Sequence, residues 1–214
     1  MHYRCLWDKG YIIMEIIKNF INEEDVKIIQ EYIKTIKFNT KEDHVPLHDN
    51  LYSEDGTKFD IHTRGEMPDY ILNIFSKYSK GIYEFVNSKF LNEYHPPMFS
   101  KHYIARYRTG ACSEPHFNPD KPKGTYGSYI VWQNANLGGE ILFPNRNLSF
   151  ISNPGDLIIF EETKEDIHGI NQVLDGNLFI SEAWLGKKGQ LWMANSLPYE
   201  QVYWDDWEIK GFYE

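Results

Sequence analysis

Beyond residue 98 the chain is a succession of short β-rich runs, and this most limits what it can fold into. The runs are Tyr103-Ile-Ala-Arg-Tyr107, Tyr129-Ile-Val-Trp132, Glu140-Ile-Leu-Phe143, Leu157-Ile-Ile-Phe160 and Leu178-Phe-Ile-Ser-Glu-Ala-Trp184. Gly138-Gly139, Pro144-Asn145 and Asn153-Pro154-Gly155 punctuate them, and such residues mark turns rather than continuations. Many short strands with tight turns call for an antiparallel sandwich or a closed barrel, because open edges and exposed apolar faces are costly. Helical patterns come first. Asn22 precedes Glu23, Glu24 and Asp25, after which Val26, Ile28, Ile29, Ile33 and Ile36 recur at helical spacing. Asn22 can cap the free N–H groups, and the three carboxylates suit the positive end of the helix dipole. Ile16, Ile17 and Phe20 read as a strand leading into that cap.

A second helix is predicted from Ile71, Leu72, Phe75, Ile82, Phe85, Val86 and Phe90, with Pro68 before it and Pro96-Pro97 beyond it. Residues 39 to 69 are polar and rich in turn formers, and read as a long loop or flap. Their three histidines, His44, His48 and His62, read as solvated loop residues. The fold class expected is mainly β with flanking helices, a double-stranded β-helix (jelly-roll or cupin-like barrel). The whole of 1–214 reads as a single domain. It divides into an N-terminal strand, helices and flap (14–97), a jelly-roll core (98–186) and an aromatic C-terminal tail (187–214). The tail holds Trp192, Tyr199, Tyr203, Trp204, Trp207, Phe212 and Tyr213, and is expected to dock on the outside of the barrel.

Composition removes several functions. A formal net charge of −9 without a basic cluster argues against nucleic-acid binding. No apolar run is long enough for a membrane helix, and the first thirteen residues lack a signal peptide's apolar stretch. Two cysteines, Cys5 and Cys112, make no disulfide framework, so the expectation is a soluble, cytoplasmic or otherwise intracellular protein.

Two histidines sit where strand ends are predicted. His116 closes one run and opens the turn Glu114-Pro-His-Phe-Asn-Pro-Asp120, and His168 opens another run. Imidazoles at strand ends across a small barrel can converge on one metal, which Fe(II) accepts readily.

The ordered set Arg106-Tyr-x-x-Gly-x-x-x-Glu-Pro-His116, Gly138-Gly-Glu-x-x-Phe-Pro144, Pro154-Gly-Asp-x-x-x-Phe160, His168-Gly, Gly176 and Trp184 resembles the prolyl 4-hydroxylase branch of the Fe(II)/2-oxoglutarate dioxygenases. Lys18-Asn-Phe-Ile-Asn-Glu-Glu-Asp25 resembles that family's opening strand and helix, so the likeness runs from residue 14 to 186. The resemblance implies Fe(II), 2-oxoglutarate and O2 as cofactors, with His116 and His168 as iron ligands. It implies that Trp184 is near the iron and the substrate, which would be a peptide, a protein side chain or a small molecule.

The departures from the family are specific. The family carboxylate two residues after the first histidine is Asn118 here, and Asp120 is the nearest acid, which a turn at Asn118-Pro119 could fold back. The third ligand is therefore Asn118, Asp120 or no protein group. The basic residue ten positions after the second histidine, which holds the distal carboxylate of 2-oxoglutarate, is Leu178. The tyrosine three positions before the first histidine, which also helps bind 2-oxoglutarate, is Ser113. Because alternate residues of a strand share a face, Leu178, Ile180, Glu182 and Trp184 are expected to point inward, a poor bed for a dicarboxylate. Arg106, Arg108, Arg146, Lys187 and Lys188 are the substitute anchors to consider; Arg106 reads as structural, and Arg108 and the lysines as surface charges. Three functions remain: an atypical Fe(II)-dependent oxygenase, a dioxygenase-fold protein that has become a binding or structural module, or a repurposed metal site that does non-oxidative work or uses another cosubstrate. A halide-accommodating site is disfavoured, because Asn118 is larger than the small residue such a site needs.

Overall fold

The computed structural model describes residues 14–36, 59–63, 67–90, 103–117 and 124–185. The opening strand β1 (Met14–Ile17) leads into α1 (Glu23–Ile33), and Asn22 caps this helix by accepting from the Asp25 N–H at 2.8 Å. Phe20, expected in the strand, lies beyond it, just after the turn at Lys18-Asn19, with its ring 6.0 Å from that of Tyr78. A second helix, α2, covers Asp69–Phe90.

The stretch expected as a loop contains a strand, β2 (Phe59–Thr63), paired antiparallel with β3 (Tyr103–Arg108). Phe59, Ile61 and Thr63 alternate with Asp60 and His62, a period of two that the turn-rich flanks obscure. His62 thus occupies a strand position opposite Ile104, while His44 and His48 lie outside the described residues. The aromatic tail and Pro96-Pro97 lie outside them too.

The remaining strands are β4 (Ser113–His116), β5 (Tyr126–Gln133), β6 (Leu137–Gly138), β7 (Ile141–Phe143), β8 (Leu148–Phe150), β9 (Leu157–Glu161), β10 (His168–Ile170), β11 (Val173–Asp175) and β12 (Asn177–Leu185). They form a six-stranded sheet in the order β1-β9-β5-β12-β3-β2, a four-stranded sheet β4-β10-β7-β8, and a small pair β11-β6. Every pairing is antiparallel.

Side-chain alternation divides the large sheet into two faces. Leu157, Ile159, Phe179, Ala183 and Leu185 belong to the core shared with the helices. Ile158, Phe160, Leu178, Ile180, Tyr107 and Tyr129 belong to the core shared with Ile141 and Phe143 of the small sheet. This is a double-stranded β-helix, with helices against one face and the interior between the two sheets. On the helix side Trp132 is fully buried, its ring edge-on to Phe75 at 5.4 Å and its Nε1–H donating to Ser181 Oγ at 2.7 Å. Such an aromatic contact adds about 0.5–1.5 kcal/mol beyond the burial itself.

Asp156 secures the opening turn. Its buried carboxylate accepts from Lys18 Nζ at 2.6 Å, from the Asn19 N–H at 2.9 Å and from the Asn153 N–H at 3.0 Å. Thus two segments of the family-like pattern, Lys18-Asn-Phe and Pro154-Gly-Asp, meet in one ion-paired knot. Among the described residues no helix is long and apolar enough to cross a membrane.

Candidate functional site

The site begins with one rung of the small sheet. His116 on β4 and His168 on β10 are direct partners in the antiparallel ladder, and their ring centroids lie 4.8 Å apart. Residues 52 positions apart are brought together because β4 and β10 approach closely at the next position. A Cβ on Gly169 would stand 2.6 Å from the Ser113 carbonyl oxygen, so a side chain there would push the strands apart.

Each imidazole is oriented by backbone. His116 Nδ1 is 2.8 Å from the Glu114 carbonyl oxygen, and His168 Nδ1 is 3.0 Å from that of Asp166. A carbonyl only accepts, so in the neutral ring Nδ1 carries the proton and Nε2 keeps a lone pair. Metal-binding histidines characteristically use this anchoring of the second nitrogen. Burial disfavours the charged ring of His168 and, with His116 nearby, lowers its pKa, although the Glu162 carboxylate and the Asp166 carbonyl pull the other way. The rings of Phe160 at 4.4 Å, Tyr129 at 5.8 Å and Phe143 at 6.2 Å surround His168.

The Asp166 backbone that holds His168 is itself held. Asp166 is fully buried, and its carboxylate takes a hydrogen bond and ion pair from Arg146 and a hydrogen bond from Thr163 Oγ1 at 3.2 Å. Burial pushes its pKa up to about 6, against the lowering effect of Arg146. Arg146 is therefore engaged with Asp166.

Glu162, which the sequence reading missed, lies just past β9 and is 5% exposed. It accepts from Trp184 Nε1 at 2.9 Å. Gly127, the ladder partner of Trp184, makes room for it: a Cβ there would meet Glu162 Oε1 at 2.8 Å and the Phe160 ring at 2.7 Å. The signal was present as an acid two residues beyond Phe160, where the Pro154-Gly-Asp-x-x-x-Phe pattern ends.

The inner face of β12 agrees with its alternation. Leu178 and Ile180 are buried in the core between the sheets, and Glu182 and Trp184 follow half-buried. Ser113 is also buried. Arg106 and Arg108 share the parity of Ile104, which packs in the helix-side core, rather than that of Ala105 and Tyr107. Arg108, expected as a surface charge, has a buried Nε. Asn118, Asp120, Lys187 and Lys188 lie outside the described residues. Among the described residues no three His, Cys, Asp or Glu side chains converge closely enough to hold a metal. The pair His116–His168 is what the described structure offers a metal, and imidazole ligands suit a borderline cation. For 2-oxoglutarate the fit is poor, since Leu178 replaces the expected cation with an aliphatic group.

No protein-family model matches the chain, and no curated protein sequence does either. Solved structures do. A viral collagen prolyl hydroxylase from Paramecium Bursaria Chlorella virus-1, in its 2OG complex, matches with a TM-score of 0.59 at 18% identity, over 81% of this chain and 95% of its own. The fold is that of the prolyl hydroxylases. A Pseudomonas putida prolyl-4-hydroxylase matches with a TM-score of 0.59 at 12% identity, over 82% of this chain and 93% of its own. A Trichoplax adhaerens prolyl hydroxylase, in complex with a hypoxia inducible factor peptide fragment, matches with a TM-score of 0.61 at 16% identity, over 86% of this chain and 87% of its own. The prolyl hydroxylase-like fold thus spans most of the chain.

Proposed function

We propose that the protein is an Fe(II)-dependent oxygenase that hydroxylates a peptide, a protein side chain or a small molecule, with an atypical metal and cosubstrate site. The observation that carries this reading is the His116–His168 rung, with both Nδ1 atoms fastened to carbonyls two residues upstream. That arrangement presents two oriented imidazoles on one side of the interior, as a two-histidine metal centre requires. When bound, iron supplies O2 activation. His116 and His168 would hold it, with Asn118, Asp120 or no further protein group as the third ligand. Phe160, Phe143 and Tyr129 keep water from the buried side of His168. Trp184, fixed by Glu162, lines the substrate side, where an oriented indole positions a substrate chain.

The test is anaerobic titration of the purified apoprotein with Fe(II), alongside His116→Ala and His168→Ala. Each variant is expected to lose roughly 100-fold or more in affinity, the upper end of what second-shell loss alone costs. Absence of Fe(II) binding by the parent protein would sink the proposal.

A second reading is favoured by one observation, the burial of Leu178 and Ile180 where a dicarboxylate would need a cation. On that reading the fold serves as a binding or structural module, and the histidine variants leave metal affinity unaltered.

A further inference from the structure

The turn that follows β7 meets the loop that leads into His168. Strand β7 pairs antiparallel with β10, Gly169 opposite Leu142 and Ile170 opposite Ile141, so β7 ends at Phe143 beside the start of β10. Pro144–Arg146 then form one 3-10 turn. It is stiff for local reasons. Pro144 fixes its own φ, the Asn147 N–H donates to the Pro144 carbonyl oxygen at 3.0 Å, and Asn147 takes the left-handed conformation (φ 59°) that asparagine tolerates.

Two side chains of this turn cross to the loop. Asn145 Nδ2 donates to the Lys164 carbonyl oxygen at 2.6 Å, and Arg146 Nε donates to the buried Asp166 carboxylate. The loop is also tied to itself. Thr163 Oγ1 donates to the other Asp166 carboxylate oxygen at 3.2 Å, and the Asp166 N–H donates to the Thr163 carbonyl oxygen at 3.1 Å. The Asp166 carbonyl oxygen in turn faces His168 Nδ1 at 3.0 Å. An imidazole anchored at one nitrogen follows its anchor, so whatever fixes this carbonyl also aims Nε2. His116 takes its anchor from Glu114 within its own strand, and is independent of the turn.

We propose that the Pro144–Asn147 turn aims the metal ligand His168, with Arg146 and Asn145 as positioning residues that act through the backbone of Lys164 and Asp166. This rests on the metal-centre reading above.

The test compares Arg146→Met with Lys18→Met in the full chain. Each removes the cation from a fully buried aspartate, but the Lys18–Asp156 pair joins the opening turn to the turn before β9. Fe(II) affinity is read by anaerobic calorimetry, and the ring tautomers of the metal-free protein by imidazole 15N NMR, with His168 assigned from His168→Ala. Arg146→Met is expected to bind Fe(II) about tenfold more weakly, the lower end of what loss of an outer partner costs. Asn145→Ala should show a smaller loss, Arg146→Lys should recover most of the affinity, and Lys18→Met should bind as the parent does. In metal-free Arg146→Met, His168 is expected to mix Nδ1–H and Nε2–H forms while His116 is unaltered. Parental affinity or an unaltered His168 spectrum in Arg146→Met overturns the proposal, as does an equal loss in Lys18→Met, which would reduce the effect to general destabilisation. Should Arg146→Met not fold, Asn145→Ala, with its ion pair intact, decides in the same way. Failure of the parent protein to bind Fe(II) defeats the metal-centre reading and the role of the turn with it.

Discussion

Gly169 lies against Ser113 so closely that a Cβ on the glycine would stand 2.6 Å from the serine's carbonyl oxygen. Gly169 directly follows His168, and Ser113 is the ladder partner of Ile170, so this close approach lies beside the His116–His168 rung. Gly169→Ala is therefore expected to cost about 1–3 kcal/mol, as overpacking does, and to weaken Fe(II) binding although no donor is removed. Urea unfolding and metal titration of this variant check both effects. Unchanged affinity would show that the strand spacing does not govern the site.

Arg146 neutralises a fully buried carboxylate in the segment that orients His168. Arg146→Met removes the interaction that keeps this carboxyl ionised, so Asp166 takes up a proton in the folded state, with an expected cost of about 1–3 kcal/mol that grows as pH rises. Adding Asp166→Asn should recover part of that loss and remove its pH dependence, because the group no longer titrates. A double-mutant cycle by chemical denaturation measures the recovery.

Asp25 links the two helices. Its carboxylate accepts from Asn22 Nδ2 at 2.8 Å, from Lys77 Nζ at 2.6 Å and from Tyr78 OH at 2.6 Å. Burial opposes its ionisation, but these hydrogen bonds outweigh burial and hold its pKa below the ordinary value. The unfolded chain therefore binds the proton more readily than the folded one. The stability from this group is present above about pH 4 and is lost as pH falls below that, through the depressed folded pKa. Asp25→Asn is expected to flatten this acid limb, as followed by thermal unfolding over that range.

Trp132 Nε1 donates to Ser181 Oγ inside the helix-side core. Ser181→Ala strands a buried donor and is expected to cost about 1–3 kcal/mol. In the Trp132→Phe background the same substitution should cost less, since no indole N–H is left unsatisfied. Equilibrium unfolding of the single and double variants provides the comparison.

Local pattern made much of this readable in advance. The Asn22 cap, the 3.6-residue period of both helices and the period-two runs from Tyr103 to Trp184 each arise from the geometry of a few adjacent residues. The inward direction of Leu178 and Ile180 follows in the same way, since alternate positions on a strand share a face. β2 was obscured because Phe59, Ile61 and Thr63 stand among turn formers, and its place comes from pairing with β3 rather than from its own composition. Arg108 read as a surface charge because its type is usually exposed, yet its Nε is buried in the folded chain.

By itself the sequence determined that two histidines stand at strand ends, His116 closing one and His168 opening another, that Leu178 occupies an inward position where a base was expected, and that the front of the chain is helical. Tertiary structure alone decided that His116 and His168 share one rung, that Arg146 is committed to Asp166, and that Trp184 leans on Glu162. Periodicity is set by each residue's own backbone geometry. Register, charge pairing and close approach depend on segments tens of residues apart, which only the closed sheets bring into contact.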